Sequence, residues 1–407
     1  MMSNSTCLLF TQSYPYGDSE VFLETEINFL AIYFSNVVIF PLNTGNGKMR
    51  KVPSNVTIEY LFKSDMNCRI NFTDLFLLTK VLVFEIIHQP IKMLSQLRSN
   101  FSYLKQECKK AKIFGDFLKR SNLGSNCFFY SYWFDTWSLI LSLVKKSHKE
   151  YGFQFYSRAH GFDLFEDQTK FGYHPFKNFM LRNVNSVYSV SKVGQSHLQN
   201  KYKKYKHKIR HSYLGSKSNR YHYVSEGTDF VIASCANIRA IKRLELIPDI
   251  LNELPSTFKA KWVLIGDGEM LSEIKSKTKL LGSNIECVFM GNLESYQVHE
   301  FYAKNKVDLF ISVSRSEGIP FTMMEAISYG IPLLSTDVGG CSEICNEQTG
   351  VLINKEFDIK EVAKEILLFS SSPMNTIEFR NGVRKFWEQN FNAEENYSKF
   401  YSEISKN

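Results

Sequence analysis

Short apolar runs alternate with stretches of helical periodicity along most of the chain. Cys7–Thr11, Val37–Pro41, Cys127–Ser131, Phe153–Ser157 and Ser186–Val190 are each nearly continuous in apolar residues, the pattern of a strand covered on both faces. A second set follows in Phe230–Ser234, Lys261–Ile265, Cys287–Met290, Leu309–Ser312 and Pro332–Ser335. Strand–helix alternation repeated in two blocks predicts an α/β protein with two parallel, doubly wound sheets. The polar stretch Ser216–Gly227 separates the blocks. The expected organisation is therefore an N-terminal domain over 1–215, a second domain over 216–385, and a polar-amphipathic helical tail over 386–407. The apolar segment Phe72–Met93 is interrupted by Asp74, Lys80, Glu85 and Lys92. Those charges exclude a bilayer span and predict one amphipathic helix, of a kind able to lie on a membrane surface.

Composition changes this picture little. A chain of 407 residues, 44% apolar and 22% charged, has enough apolar surface for two cores and is not disordered. The net charge of +8 is modest but uneven. Lys192, Lys201, Lys203, Lys204, Lys206, Lys208, Arg210, Lys217 and Arg220 fall in a stretch without Asp or Glu. Such a block reads as a solvated face, or as a seat for anionic lipid or a lipid-linked pyrophosphate. No nucleic-acid-binding motif accompanies it, so nucleic acid is not an expected partner. The eight cysteines are scattered with no CxxC, which suits reduced thiols in the cytoplasm. The first ten residues lack the basic start and long apolar run of a signal peptide.

Candidate chemistry concentrates in Ser314–Gly330, which sets Glu317 and Glu325 eight residues apart. Glu317 follows an apolar strand, and Glu325 sits inside the next helical stretch. A loop that reaches a helix N-terminus offers N–H groups and a positive dipole end to a phosphate. The amides of Ile319, Phe321 and Thr322 can serve this purpose, whereas Pro320 has no N–H. A carboxylate one or two turns into the helix can accept hydrogen bonds from paired sugar hydroxyls. Together these parts would hold a nucleotide sugar. The segment resembles the E-x7-E region of retaining GT-B glycosyltransferases of family 4 (group 1), and Ile331–Ile344, with Gly339-Gly340, resembles the strand and Gly-Gly turn that follow it.

Four further segments carry the resemblance in order. Ser13-Tyr-Pro-Tyr16-Gly17-Asp-Ser-Glu20 turns sharply after the first strand, before a helix expected near Ser19. It is similar to the family's first glycine-containing loop, which implies that Gly17 is on the donor side and that Tyr16 and Glu20 are on the acceptor side. Arg158-Ala-His160-Gly-Phe-Asp163 looks like the family's Arg-Ala-His-Gly-x-Asp segment. This implies that His160 contacts the donor sugar near the reaction centre, with Arg158 and Asp163 on the acceptor side. In Asn237-Ile-Arg239-Ala-Ile-Lys242-Arg243 a lysine can neutralise charge growing on a leaving diphosphate. The family pattern there is Arg-x4-Lys; Lys242 matches it, but Asn237 replaces the arginine, so a compensating role falls to Arg239 or to none. Gly266-Asp-Gly268, and Gly291 after the next strand, resemble the family turns that border the base and phosphates. Position 271 is Leu, so the dinucleotide fingerprint is incomplete.

The resemblance implies a GT-B fold of two Rossmann-like domains facing across a cleft, with the last helix returning to the first domain. It also implies transfer of a hexose from a UDP- or GDP-linked sugar to a hydroxyl, with retention. Lipid-linked intermediates of a bacterial surface polysaccharide (capsule, O-antigen or exopolysaccharide) are the implied acceptors, reached at the inner face of the plasma membrane. Lys242, His160 and Glu317 would act near the scissile bond. Asn237, Arg239, Arg243, Gly266, Gly291, Gly318, Ile319, Phe321, Thr322 and Glu325 would hold the donor. No Asp-x-Asp pair is present to carry a divalent ion, so neither metal nor other cofactor is expected. A GT-B epimerase, an NAD-dependent two-domain enzyme and a silent scaffold remain as alternatives.

Overall fold

The computed structural model describes residues 5–17, 20–44, 47–62, 68–121, 127–166, 169, 172–218 and 227–404. Ser19, Arg220 and most of the expected Ser216–Gly227 boundary lie outside the described residues. The chain divides into two compact units, Met1–Ser212 with Tyr401–Asn407, and Tyr213–Phe400. All eight cysteines are free thiols. Among the described residues no helix is long and apolar enough to cross a membrane.

The first unit is built on β1 (Thr6–Thr11), β2 (Asn36–Pro41), β3 (Val56–Ile58), β4 (Cys127–Ser131), β5 (Phe155–Ala159), β6 (Ser186–Ser189) and β7 (Ile209–His211). They form one seven-stranded sheet in the order β3-β2-β1-β4-β5-β6-β7. Every pairing is parallel, and Cys7 lies opposite Val37 on one side and Phe128 on the other. Residues Cys7–Phe10 are completely buried, which is why β1 is apolar at both odd and even positions. Phe10 lies 5.3 Å from Phe40 and 4.7 Å from Trp137, ring to ring, in the aromatic core beneath the helices Leu97–Ser121 and Thr136–Ser147.

The second unit holds β8 (Phe230–Cys235), β9 (Ala260–Ile265), β10 (Ile285–Gly291), β11 (Leu309–Ser312), β12 (Leu333–Thr336) and β13 (Gly350–Ile353). These form a parallel six-stranded sheet in the order β10-β9-β8-β11-β12-β13. Two doubly wound parallel sheets are thus present, as the hydrophobic pattern predicts. In each, the strand order reverses beside the first strand, between β1 and β4 and between β8 and β11. Open α/β sheets bind ligands at the carboxyl ends of strands flanking such a reversal.

Four elements differ from expectation. The helix expected near Ser19 begins at Leu23, because Glu20 takes a left-handed φ of 58° and breaks the run. The expected helix Phe72–Met93 is two helices, Phe72–His88 and Pro90–Ser95. Gln89 leaves helical geometry and Pro90, which has no N–H to continue the ladder, starts the second. β5 lies two residues later than read, since pairing with β4 starts at Phe155. The proposed boundary at Phe386 falls inside the helix Ile377–Asn390; the chain turns at Phe391 and a last helix runs Ala393–Ile404. In the first unit, Tyr401 from this last helix packs 5.4 Å from the Tyr33 ring and donates a 2.9 Å hydrogen bond to Glu26.

Candidate functional site

In the second unit the loops leaving β8 and β11 are latched together. Arg243, held at φ +50°, donates from Nε to the Val313 carbonyl at 2.7 Å and from Nη2 to those of Ser314 and Lys355 at 3.4 and 2.8 Å. The Arg315 amide donates to the Ile241 carbonyl at 2.8 Å. The latch brings Lys242 to Glu317, and the two form a direct ion pair. Ser314 Oγ donates to the same Glu317 oxygen at 2.7 Å. Cys235, Lys242, Ser312, Ser314, Glu317 and Thr322 line one small hollow at the strand reversal. A larger trough of about 470 Å³ lies away from it, bordered by Asp249, Glu253 and Asp358. Three carboxylates against one lining cation, Lys360, make it a poor seat for a diphosphate.

The Gly-Gly turn is packed onto this loop. Gly339 has φ +53°, and a Cβ there would lie 1.7 Å from the Glu317 carbonyl oxygen, so only glycine fits. The Gly340 amide donates to the Gly318 carbonyl at 2.9 Å. Ile319 is buried, and the helix Phe321–Ile327 starts after Pro320. Its N–H groups at Phe321 and Thr322 precede Met323, the first to bond back to a carbonyl, that of Pro320.

Glu325 is buried at the middle of that helix. His299, from the helix Ser295–Lys304, places Nε2 3.6 Å from Glu325 Oε1, while its Nδ1 lies 3.2 Å from Tyr329 Oη. Burial, then Lys217, pushes the His299 imidazole down to about 4, so it meets Glu325 uncharged at neutral pH. Sequence reading missed His299, because its helix has no motif and a single histidine carries no pattern. Burial and Glu325 push the Cys235 thiol up, which leaves it a thiol and not a nucleophile.

Other expected donor residues have different positions. Arg243 is buried with its guanidinium committed to backbone carbonyls, so it holds the loops and does not reach a ligand; this corrects its assignment to donor binding. Asn237 and Arg239 are exposed on the β8 loop. Gly266 donates its N–H to the Gly291 carbonyl at 2.8 Å, and a Cβ on Gly266 would lie 1.9 Å from the Ala236 carbonyl oxygen. The absence of a side chain at Gly266 thus lets the β9 turn pack against the β8 loop.

In the first unit, three loops meet at the β1–β4 reversal. Glu20 is buried, and its carboxylate accepts the amides of Gln12, Ser13 and Tyr14 at 2.7–3.0 Å and the Trp133 indole N–H at 2.6 Å. The amides that follow β1 are therefore bound to Glu20, and Glu20 is not presented to an acceptor. Gly17 has φ +68° and its carbonyl accepts from Arg50, while Tyr16 bridges to Met49. Arg158 is fully buried: Nε donates to Tyr130 Oη at 2.6 Å and lies 3.4 Å from Glu26, and Nη1 donates to the Ser212 carbonyl at 3.0 Å. Asp163 is also fully buried and accepts the amides of Phe134 and His160. Burial pushes the Asp163 carboxyl up and its neighbour, the Lys177 ammonium, down. Arg158 and Asp163 build the interior and do not face an acceptor, a correction to both assignments.

His160 stands differently. It stands just before the short helix Gly161–Leu164, in a box of Phe22, Tyr132 and Trp133, whose rings lie 5.6, 4.9 and 4.4 Å away. Burial, then Arg158, drives its imidazole well below the ordinary range. Among the described residues neither ring nitrogen has a hydrogen-bond partner, which costs about 1–3 kcal/mol per group.

The basic block is less open than its sequence suggests. Lys201 pairs with Glu166, Arg210 with Glu403 at 2.7 Å, and Lys208 donates to the carbonyls of Leu181, Arg182 and Val184. Lys203, Lys204 and Lys206 remain exposed.

Comparison with known proteins fits this geometry. Residues 216–386 match the family model for glycosyl transferases group 1, somewhat under half of the chain. The O-antigen biosynthesis glycosyltransferase WbnH of Escherichia coli is 37% identical over 119 residues, which span 29% of this chain and 32% of that relative's length. Two solved structures align over nearly everything. The lipopolysaccharide outer core galactosyltransferase WaaB has a TM-score of 0.68 at 14% identity, covering 98% of this chain and 99% of that one. HepE of Anabaena, solved with UDP, has 0.67 at 15% identity, covering 99% and 100%. The fold is thus the GT-B fold, and the second unit carries a group 1 glycosyltransferase domain. Relatives of this domain include proteins of O-antigen, lipopolysaccharide core and Vi polysaccharide biosynthesis.

Proposed function

We propose that this chain is a retaining hexosyltransferase of family 4 that uses a nucleotide diphosphate sugar, UDP- or GDP-linked, and a lipid-linked saccharide acceptor in surface-polysaccharide assembly. The observation that carries the reading is the Lys242–Glu317 pair at the β8–β11 reversal, with buried Glu325 one helix turn beyond the diphosphate-facing amides. Bound donor places its diphosphate at the helix start, where Lys242 offsets the charge that grows as the sugar departs. Glu317, held by Ser314, contacts the sugar. Glu325 accepts the ribose hydroxyls, with neutral His299 behind it as a positioning residue. His160, a buried neutral imidazole with unused nitrogens, supplies a hydrogen bond to a sugar hydroxyl. The presence of UDP in a solved structural neighbour supports a nucleotide-linked donor.

Thermal unfolding in the presence of a panel of UDP- and GDP-sugars tests the donor, since a ligand at 100 times its Kd adds about 2.7 kcal/mol. A stabilising donor is then incubated with acceptor and the product's anomeric configuration read by NMR. Retention is expected; inversion, or no nucleotide that stabilises the protein, overturns the reading.

A further inference from the structure

The helices Phe72–His88 and Pro90–Ser95 of the first unit carry a continuous outward stripe. Phe72, Phe76, Val83, Ile87, Ile91 and Leu94 are 50–91% exposed. Their spacings of three, four and seven keep them on one side of each helix. The opposite side is used for packing: Leu78, Val81 and Met93 are buried. Helices in water ordinarily break such a stripe with charge, and a run of exposed large apolar side chains marks a contact surface.

The charges sort in the same direction. Between Asn71 and Gly115 there are three acidic residues, Asp74, Glu85 and Glu107, and all three are buried. Asp74 accepts the Asn71 amide and pairs with Lys112; Glu85 accepts the Phe179 amide; Glu107 pairs with Lys110. Over the same stretch Lys80, Lys92, Arg98 and Lys105 are exposed. The Lys80 ammonium lies 4.0 Å from the centre of the exposed Phe76 ring. The exposed side chains of this stretch are therefore apolar, neutral or cationic, and the next acid, Asp116 on the helix Leu97–Ser121, is exposed just beyond it.

We propose that this face docks on an anionic lipid bilayer and lies in its headgroup layer. A bilayer supplies hydrocarbon for the stripe and phosphate for Lys80, Arg98 and Lys105 together. A second copy of the chain would set these cations against each other. This face uses none of the residues assigned to glycosyl transfer, and vesicle binding is measured without turnover.

The full chain is sedimented with phosphatidylcholine vesicles and with vesicles containing about one-third phosphatidylglycerol. Binding to the second kind is expected, weakened by salt, with little binding to the first. Ile87→Ser with Ile91→Ser should lower partitioning by about tenfold or more, and Lys80→Glu with Arg98→Glu should remove the preference for anionic vesicles. Both variants alter exposed positions and should keep the wild-type melting temperature; if one does not, the other decides. Absence of binding at low salt overturns the proposal, as does wild-type binding by a folded variant. Dilution-sensitive self-association relieved by the isoleucine variant would also overturn it, by assigning the face to a second copy.

Discussion

In the proposed reaction Lys242 and Glu325 divide the donor between them, so their variants should fail in different ways. Lys242→Ala removes a charge that matters most as the diphosphate leaves, so kcat should fall by about 30-fold or more, about 2 kcal/mol, with a smaller change in donor KM. Glu325→Ala removes hydrogen bonds made before and during reaction, so donor KM should rise by a similar factor. Steady-state kinetics with varied donor checks both, and identical kcat and KM changes in the two would undo the division of roles. A different residue governs stability. Burial pushes the Glu85 carboxyl up to about 7, against the lowering effect of the Phe179 amide. Its folded form prefers the proton, so stability is present below the unfolded value near 4.5 and is lost as pH rises toward 7. Glu85→Gln keeps an acceptor for Phe179 and should gain up to about 3 kcal/mol at pH 8 but little at pH 5. Denaturant titrations at the two pH values read this directly; equal shifts would place the effect elsewhere.

At the scale of the element, the loop after β11 depends on a turn that contributes no side chain. Gly339→Ala sets a methyl group against the Glu317 carbonyl and strains a left-handed residue, so the Glu317 loop must shift. Donor KM should rise about tenfold or more, with a loss of about 1–3 kcal/mol in unfolding free energy; an unchanged KM would show that the loop tolerates the displacement. The elements themselves divide into those legible from sequence and those not. Interior strands such as β1 and β8 were readable because burial on both faces makes them continuously apolar. The edge strands β3, β7 and β13 are three or four residues long and partly exposed, too short for a pattern. Lys242, Glu317 and Glu325 stood out in the sequence because they sit in motifs, Lys242 and Glu317 in loops after strands and Glu325 in the helix that follows; the structure pairs the first two and buries the third. Arg243, Arg158, Asp163 and Glu20 have the polarity of ligand-binding residues, but their charge is spent on backbone amides and carbonyls, or on a buried carboxylate partner, inside the protein. Sequence cannot distinguish a charge turned inward from one turned toward a ligand. The histidines illustrate both outcomes: His160 stood in a motif, and His299 became visible only through its distance from Glu325.

Across the whole molecule, one arrangement appears twice: a parallel sheet whose strand order reverses, with charged and polar loop residues gathered at the carboxyl ends beside the reversal. In the second unit the cation there is Lys242, and the proposed reaction assigns the leaving charge to it and to backbone amides. EDTA should therefore leave the transfer rate unchanged, whereas a loss restored by Mg²⁺ or Mn²⁺ would require a different account of that charge. The Arg243 latch bears on how such proteins can be recombined. Its guanidinium serves carbonyls from two separate stretches, Val313–Ser314 and Lys355, while its own backbone belongs to a third. A chimera whose imported β11 loop follows a different path from Val313 onward would leave this buried cation with the Lys355 carbonyl as its remaining backbone acceptor. If the proposed donor site is right, donor preference is inherited as a block, and specificity swaps should succeed when the β8 loop, the β11 loop and the Lys355 turn travel together.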